Sequence, residues 1–290
     1  MTGGHPVVGF IGLGQIGAPM ANRLTGWPGG LVLYDVRPEA MEPFAASGAT
    51  LAGSVAEVGR KANIISVMVR DDAQVADVVR EIARAAAGLR EVIVAVHSTI
   101  RADTAPALAA EVRAAGVELI DAPVSGGAPG AQDGRLAVMI GGSREGYELC
   151  REPFGCWADL ILYFGPVGAG TRAKLARNLL HFVSFTAAAE AQRLAGAAGL
   201  DLRKLGKVVR HSDAVTGGPG AIMVRSSTAP LAAGDPLAGI FEHVRQLGEK
   251  DLRLALELGA ELGVDLPLAE LALLDFGAGL GLPAVEDHDG

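Results

Sequence analysis

The chain has 290 residues, of which half are hydrophobic, and it carries a net charge of −8 with a sequence pI near 5.3. A chain of this length can bury a large core and commonly forms two domains. The acidic balance argues against nucleic acid as the main partner, because no basic field attracts phosphates. No apolar run reaches the roughly 20 residues of a membrane helix, so we expect no membrane partner.

The two cysteines, Cys150 and Cys156, lie close together and show no zinc-binding spacing with histidine. We expect both thiols to be reduced and structural, and we predict no metal site. The start of the sequence lacks the pattern of a signal peptide. Together these features predict a cytoplasmic protein. The last residues, "VEDHDG" (285–290), are expected to fray.

Two patterns divide the chain. Up to about residue 165, apolar runs alternate with alanine-rich helical segments; the runs are Val7–Ile11, Leu31–Tyr34, Ile64–Val69, Val92–Val96, Val117–Ile120, Leu136–Ile140 and Leu160–Tyr163. Continuous apolar runs separated by helices indicate an α/β fold whose parallel sheet is covered on both faces, a doubly wound sheet. From about Gly168 the spacing is helical only. We therefore predict a nucleotide-binding domain over 1–165 and an all-α domain over 166–290, joined by a long helix.

A glycine-rich segment follows the first predicted strand. "GLGQIG" fits the pattern G-x-G-x-x-G and opens a predicted helix. In this setting Gly12 permits a tight turn, Gly14 lets the backbone approach a pyrophosphate, and Gly17 lets the helix pack closely on the sheet. Backbone N–H groups at the helix start would face the phosphates. The predicted dinucleotide-binding residues are Gly12, Leu13, Gly14, Gln15, Ile16 and Gly17.

Asp35 ends the next predicted strand, 23 residues after Gly12. This is close to the offset of roughly 20 residues at which a carboxylate meets the adenosine ribose. A carboxylate repels a 2′-phosphate, so Asp35 favours NAD over NADP. Arg37 could pair with such a phosphate, which keeps NADP as an alternative. The simpler interpretation of Arg37 is a solvated loop cation.

The segment "DAPVSGGAPGAQDGR" places Ser125, Gly126 and Gly127 just after a predicted strand, where ligands of open α/β folds bind. A hydroxyl followed by two residues without side chains suits a carboxylate ligand. The alternative is an ordinary glycine-rich turn.

One face of the long predicted helix is polar. Thr171, Lys174, Asn178 and His181 recur at spacings of three and four residues. A polar stripe on an apolar helix needs partners or a cavity. Burial would lower the pKa of Lys174, which could then exchange a proton with a substrate oxygen, while Asn178 holds both groups in place. The alternative is a solvated surface lysine.

Four segments spread over the chain resemble the β-hydroxyacid dehydrogenase family, which includes 3-hydroxyisobutyrate dehydrogenase and tartronate semialdehyde reductase. They are "GFIGLGQIGAPMANRL", "DAPVSGGAPGAQDGRLAVMIGG", "GPVGAGTRAKLARNLL" and "EKDLRLALELGAELGVDLPL". The resemblance implies a Rossmann-like N-terminal domain, a long interdomain helix and an all-helical C-terminal domain that usually oligomerises. We therefore expect a homodimer or homotetramer.

The resemblance also implies residue roles. It makes Lys174 the catalytic lysine, Asn178 its companion, and Lys250 a neighbour of both nicotinamide and substrate. The implied substrate carboxylate site is Ser125, Gly126 and Gly127, and the implied further lining of the cofactor cleft is Val69, Arg70, Gln74 and Thr99. The sequence departs from the family where relatives often have Pro (Arg70), a second Asn (Arg177) or Met (Ile16).

The expected activity is hydride transfer between NAD and a small 3-hydroxy acid such as 3-hydroxyisobutyrate, with Lys174 as general acid and base. Alternatives are an NADP-dependent reductase of a short semialdehyde or of glyoxylate type, an imine reductase, which usually lacks the lysine, and a non-catalytic dinucleotide-binding module.

His97, Ser98 and Asp103 lack the context of a hydrolase triad. His211 and His243 show no metal-ligand spacing.

Overall fold

A computed structural model describes residues 4–89 and 91–283. The segment 285–290, which the sequence predicts to fray, lies outside the described residues. Contacts divide the chain into two units, Met1–Arg177 and Asn178–Gly290, which we call unit 1 and unit 2. The predicted domain division at residue 165 stays a prediction.

Unit 1 is built on one sheet. Within the described residues its strands are Val8–Ile11 (β1), Leu31–Tyr34 (β2), Thr50–Leu51 (β3), Ile64–Val67 (β4), Val92–Val96 (β5), Val117–Asp121 (β6), Val124–Ser125 (β7), Leu136–Gly141 (β8) and Ala158–Gly165 (β9). The strand order is β3-β2-β1-β4-β5-β6-β8-β7, and β9 also pairs with β8. The seven predicted runs all form strands, whereas the two-residue strands β3 and β7 are too short to give a sequence pattern.

Strands β1 to β6 pair in parallel with one another, in the order β3-β2-β1-β4-β5-β6. Strand β8 runs antiparallel to both β6 and β7 and parallel to β9. The predicted parallel sheet is therefore confirmed over β1 to β6, and β8 departs from it. An apolar run fixes the burial of a strand but not its direction.

Helices lie between the strands of unit 1. They are Gly17–Arg23 (α1), Pro38–Met41 (α2), Val55–Lys61 (α3), Asp72–Ala86 (α4), Thr104–Val112 (α5), Gly127–Asp133 (α6) and Arg144–Phe154 (α7). Side chains of Ser54, Asp71 and Ser143 accept hydrogen bonds from the third residues of α3, α4 and α7. These caps satisfy N–H groups that have no partner inside the helix, which explains where these helices begin.

The two faces of the sheet carry separate cores. Phe10 belongs to a cluster with Phe154 and Trp157, while its neighbour Ile11 belongs to another with Ile65. Successive residues of a strand point to opposite faces, so both faces are covered. The predicted doubly wound α/β architecture is confirmed.

A long helix, Ala169–Ala197 (α8), begins in unit 1 and ends in unit 2. The remaining α-helices of unit 2 are Leu202–Thr216 (α9), Ala238–Leu262 (α10) and Pro267–Gly279 (α11). None of the described residues 178–283 forms a strand, and the predicted helical C-terminal part is confirmed. None of the helices in the described ranges combines the length and the apolar character that crossing a membrane requires.

The core of unit 2 is small. Phe241, Leu280 and Leu282 form its buried cluster. Glu190 of α8, also buried, caps the start of α11: its Oε1 and Oε2 accept hydrogen bonds from the N–H groups of Leu268 (2.9 Å) and Ala269 (3.1 Å). A carboxylate at a helix N-terminus is favoured by the helix dipole. This cap ties α8 to α11.

Candidate active site

The glycine-rich loop joins β1 to α1. Gly12 has φ +96°, and its N–H donates to the carbonyl of Tyr34 over 2.9 Å. A Cβ on Gly12 would clash with the carbonyl of Met68, and one on Gly17 would clash with the carbonyl of Gly12. Gly14 differs, because a Cβ there would project into open space with no described atom within 4 Å. Packing thus explains Gly12 and Gly17, and Gly14 leaves the loop surface open.

Asp35 lies at the end of β2 and is buried. Its Oδ2 accepts a hydrogen bond from the N–H of Leu13 over 2.7 Å, and its Oδ1 accepts from the N–H and Nε of Arg37 over 2.9 and 3.2 Å. Burial opposes ionisation, but these hydrogen bonds and the Arg37 charge outweigh it, so the pKa of Asp35 is lowered. Arg37 is exposed, as expected of a solvated loop cation, and it also pairs with Asp35.

The ends of β4 and β5 lie at the same edge of the sheet as this loop, since β1, β4 and β5 run parallel. Ser98 joins these two ends: its Oγ donates to the carbonyl of Val69 (2.7 Å) and accepts from the N–H of Val69 (3.0 Å). The side chain of Gln74 accepts from the N–H of Arg70 over 3.1 Å. Arg70, Gln74 and Thr99 are exposed. The sequence interpretation missed this role of Ser98.

These residues fit a dinucleotide. The carboxyl ends of parallel strands are where open α/β folds bind nucleotides. Gly14 keeps the surface free for the close approach of a diphosphate, and the side chain of Asp35 is fixed to the same loop through Leu13. Oδ2 of Asp35 accepts one hydrogen bond, from Leu13, and its second lone pair can accept another from a ribose hydroxyl.

The start of α8 is fastened to the end of β6 by Asp121, which is fully buried. Its Oδ1 accepts from the N–H of Gly168 over 2.6 Å, and its Oδ2 accepts from the N–H of Thr171 over 2.5 Å. A Cβ on Gly170 would clash with the carbonyl oxygens of Met139 and Asp121. The backbone of α8 therefore begins in direct contact with the ends of β6 and β8. Sequence reasoning missed Asp121, because no local pattern signals a bond across 47 residues.

Lys174 follows Thr171 by one helical turn and is only 9% exposed. Burial, and to a lesser degree the nearby charge of Arg177, lower the pKa of Lys174 to about 8. The amine therefore changes protonation state near neutral pH. The hydroxyl of Thr171 is also buried and has no hydrogen-bond partner in the described part of the chain.

The serine-glycine corner lies close to Asp121 along the chain. β7 ends at Ser125, which is partly buried, and Gly126 and Gly127 are exposed with φ of +131° and +65°. These backbone angles favour glycine. A Cβ on Gly126 would also press on the side chain of Leu136. Asp121 thus stands four residues before Ser125 and holds the helix of Lys174 with its side chain.

Two predicted site residues belong to unit 2. Asn178 is the residue one turn beyond Lys174 on α8 and is partly buried. Lys250 lies on α10, is exposed, and places its Nζ 2.7 Å from Oδ1 of Asp251. Their roles stay predictions.

The histidine that follows β5 is a core residue. His97 is buried, its Nδ1 lies 2.7 Å from the carbonyl of Ala122, and its Nε2 lies 2.9 Å from Oγ of Ser66. A carbonyl only accepts, so Nδ1 carries the proton and Nε2 accepts from Ser66. Burial lowers the pKa of His97 to about 4, so the ring is neutral.

Asp103 instead pairs with Arg101 on the surface. Within residues 4–89 and 91–283, no group of three acidic, histidine or cysteine side chains could hold a metal ion.

Two family profiles match the chain. The NAD binding domain of 6-phosphogluconate dehydrogenase matches residues 7–165, and the NAD-binding domain of NADP-dependent 3-hydroxyisobutyrate dehydrogenase matches residues 168–278. An uncharacterized oxidoreductase of Mycobacterium tuberculosis (strain H37Rv) is 57% identical over 96% of this chain and 94% of its own length. The mitochondrial 3-hydroxyisobutyrate dehydrogenase of Rattus norvegicus is 37% identical over 71% of this chain and 62% of its own.

Solved structures agree with these matches. A Mycobacterium avium 104 protein classed as an oxidoreductase has a TM-score of 0.93 and 54% identity, over 97% of this chain and 100% of that one. The M. tuberculosis 3-hydroxyisobutyrate dehydrogenase, solved with L-serine, has a TM-score of 0.66 and 30% identity over 94% of both chains. With a nucleotide-binding sheet and a helical C-terminal part in the same order, the chain belongs to the 3-hydroxyisobutyrate dehydrogenase family of NAD(P)-dependent oxidoreductases.

Proposed function

We propose that this protein is a dehydrogenase of a small 3-hydroxy acid, with 3-hydroxyisobutyrate or a near analogue as the substrate. The observation that carries the proposal is the buried amine of Lys174, whose pKa is lowered to about 8. A buried lysine that titrates near neutral pH is suited to proton transfer. A solvated surface lysine would not have this property, and a non-catalytic nucleotide-binding module would not require it.

The serine-glycine corner supports a carboxylate substrate. Gly126 and Gly127 are exposed and carry no side chain that would cover their backbone, and the hydroxyl of Ser125 adds a donor. A substrate with a carboxylate at one end and an alcohol at the other would bind this corner and present the alcohol to Lys174. L-serine, present with the M. tuberculosis relative, is itself a 3-hydroxy acid. This supports the substrate class.

Bound NAD supplies the acceptor, or NADH the donor, of a hydride at the nicotinamide ring. In the oxidation, neutral Lys174 takes the hydroxyl proton while the substrate carbon gives up its hydride, and the alcohol becomes a carbonyl. In the reduction, protonated Lys174 returns the proton to the carbonyl oxygen. We assign Asn178 to orienting the amine and the substrate, and Lys250 to the substrate and nicotinamide.

The remaining cofactor contacts follow from the same edge of the sheet. We assign the loop Gly12–Gly17 to the diphosphate and Asp35 to the adenosine ribose, which favours NAD over NADP. The proposed further lining is Val69, Arg70, Gln74 and Thr99. The pairing of Arg37 with Asp35 supports the NAD preference, because it engages the cation that a 2′-phosphate would need.

Replacing Lys174 tests the proton-transfer role. We expect Lys174→Ala to lower kcat with 3-hydroxyisobutyrate by about 10²- to 10⁴-fold, because the general acid and base is lost. In the unaltered protein, kcat/KM for oxidation should rise as the pH passes about 8, since the neutral amine is required, and the rate of reduction should fall over the same range. NADH absorbance measures both rates.

Lys207→Ala is the matched control, because Lys207 is an exposed lysine on α9. It should leave kcat and the pH profile unchanged. Retention of most activity by Lys174→Ala would contradict the mechanism. Reduction of a cyclic imine with NADPH, combined with inactivity toward every short hydroxy acid, would favour the imine reductase alternative.

Replacing Asp35 tests the cofactor assignment. Asp35→Asn keeps an oxygen for the N–H of Leu13 but removes the charge that pairs with Arg37 and repels a phosphate. We expect the preference in kcat/KM for NAD over NADP to fall by about tenfold or more. Adding Arg37→Ala to this variant should reverse the gain with NADP. An unchanged preference in Asp35→Asn would refute the role of Asp35.

We also propose that the protein is a homodimer or homotetramer. Unit 2 leaves large apolar side chains exposed, among them Leu179, Phe182 and Phe185 on α8 and Leu274 on α11, which are 57–81% exposed. Exposed apolar surface of this kind marks an interface. A second copy is the occupant that we favour, because such side chains recur on α8, α9, α10 and α11, as in the large apolar interfaces of obligate homo-oligomers.

Light scattering after size-exclusion chromatography tests the assembly. The unaltered chain should elute as a dimer or tetramer, and Leu179→Glu combined with Phe182→Glu should reduce the mass to that of the monomer. Gln192→Glu, at an exposed polar position of α8, should not change the mass. A monomeric unaltered chain would contradict the proposal.

Two further expectations are kept as proposals. The domain division at residues 165 and 166 coincides with the gap between the two family profiles, which end and begin at residues 165 and 168. The thiols of Cys150 and Cys156 are free, which supports the proposed cytoplasmic location.

A further inference from the structure

We propose that Asp121 is a positioning residue for Lys174: its buried carboxylate holds the first turn of α8 so that the amine stays shielded from solvent. This inference rests on the proposed function only for its catalytic consequence. The lowered pKa of the amine is a property of the chain that can be measured without substrate.

Backbone groups of the helix start hold the buried carboxylate of Asp121. Both oxygens accept hydrogen bonds from backbone N–H groups, those of Gly168 and Thr171, and no cationic side chain takes part in these bonds. Gly168 directly precedes α8 and Thr171 is its third residue, and N–H groups at this end of a helix have no partner within the helix. The carboxylate therefore fixes the position of a helix end, which a single hydrogen bond would fix less well.

The position of the helix start determines the position of Lys174. Thr171 stands one turn before Lys174, and residues three apart lie on the same face of a helix. Thr171, with 1% exposure, and Lys174, with 9%, are buried on a stretch of α8 whose next residues, 175–177, are all exposed. Burial at this end of α8 is thus confined to the first turn, the part that contacts β6 and β8.

Close packing at Gly170 makes the burial of the first turn sensitive to a small displacement. A Cβ there would clash with the carbonyls of Met139 and Asp121, so the helix backbone touches the strand ends directly. A small outward shift of the first turn would admit water to the amine of Lys174. Hydration favours the charged form, so the pKa of Lys174 would rise toward its ordinary value.

Asp121 also connects the two parts of the proposed site, the carboxylate corner at Ser125 and the helix that carries Lys174. Asp121 ends β6, and the chain reaches Ser125 after only three intervening residues. Its backbone therefore leads to the proposed carboxylate corner while its side chain holds the helix of the proposed acid and base. Loss of its bonds should change how the substrate is turned over more than how the nucleotide is bound.

The test measures the pKa of Lys174 directly. Trace acetylation with acetic anhydride modifies only neutral amines, and mass spectrometry of the Lys174 peptide gives its extent at each pH. The unaltered protein should show half-maximal modification near pH 8. Asp121→Asn, which cannot accept with both side-chain atoms, should move the midpoint upward and lower kcat by about 10- to 100-fold with little change in the KM for NAD.

Glu190→Gln is the matched control, because Glu190 is also a buried carboxylate that accepts two N–H groups at a helix start. It should lower the thermal midpoint of unfolding, as Asp121→Asn does, but leave the midpoint of Lys174 acetylation near pH 8. An unchanged acetylation midpoint in Asp121→Asn, or an equal shift in Glu190→Gln, would overturn the proposal.

A second pair of variants covers the case in which Asp121→Asn does not fold. Thr171→Pro removes the N–H that donates to Oδ2 of Asp121, together with the hydroxyl, and leaves the bond from Gly168; proline is tolerated in the first turn of a helix. Thr171→Val removes the hydroxyl alone. The acetylation midpoint should rise in Thr171→Pro and stay near pH 8 in Thr171→Val; equal midpoints would refute the role of Asp121. Failure of the proposed function would show separately, as full activity of Lys174→Ala.

Discussion

Close contact between the start of α8 and the ends of β6 and β8 is the constraint on which the proposed chemistry depends. Gly170 allows the helix backbone to touch the carbonyls of Met139 and Asp121. The side chain of Asp121 accepts hydrogen bonds from two N–H groups at the helix start. Lys174, one turn further on, is buried. The sheet that binds the nucleotide and the helix that carries the proposed base are thereby built as one unit, within residues 1–177.

Three buried ionisable groups of unit 1 have shifted pKa values, and their surroundings explain the direction of each shift. Asp35 is buried, yet hydrogen bonds from Leu13 and Arg37 lower its pKa and keep it charged. Lys174 is buried beside Arg177, so its pKa moves in the direction that removes its charge. His97 is neutral in the core. Only Lys174 among these three titrates near neutral pH, which makes it the group suited to exchange protons during a reaction.

Much of the fold was predictable because its signals are local. The apolar runs predicted the longer strands, and the spacing after Gly168 predicted α8. The direction of β8 was not predictable, because a buried strand has the same apolar pattern whether it runs parallel or antiparallel to its neighbours. The bonds of Asp121 and Ser98 join residues 47 and 29 positions apart, and the pairing of Arg37 with Asp35 depends on a rotamer. Such contacts follow from the assembled fold and not from spacing.

The two units differ in how fully each is stabilised by its own residues. Unit 1 buries two apolar clusters against the sheet, whereas unit 2 buries a small cluster and leaves apolar side chains exposed. The proposed chemistry draws mainly on unit 1, and its direct test is transfer of the hydride itself. The protein would be incubated with NAD and 3-hydroxyisobutyrate deuterated at carbon 3, and the cofactor analysed by mass spectrometry. The account predicts one deuterium in the NADH that forms; NADH without deuterium, or no NADH from this or any short 3-hydroxy acid, would contradict it.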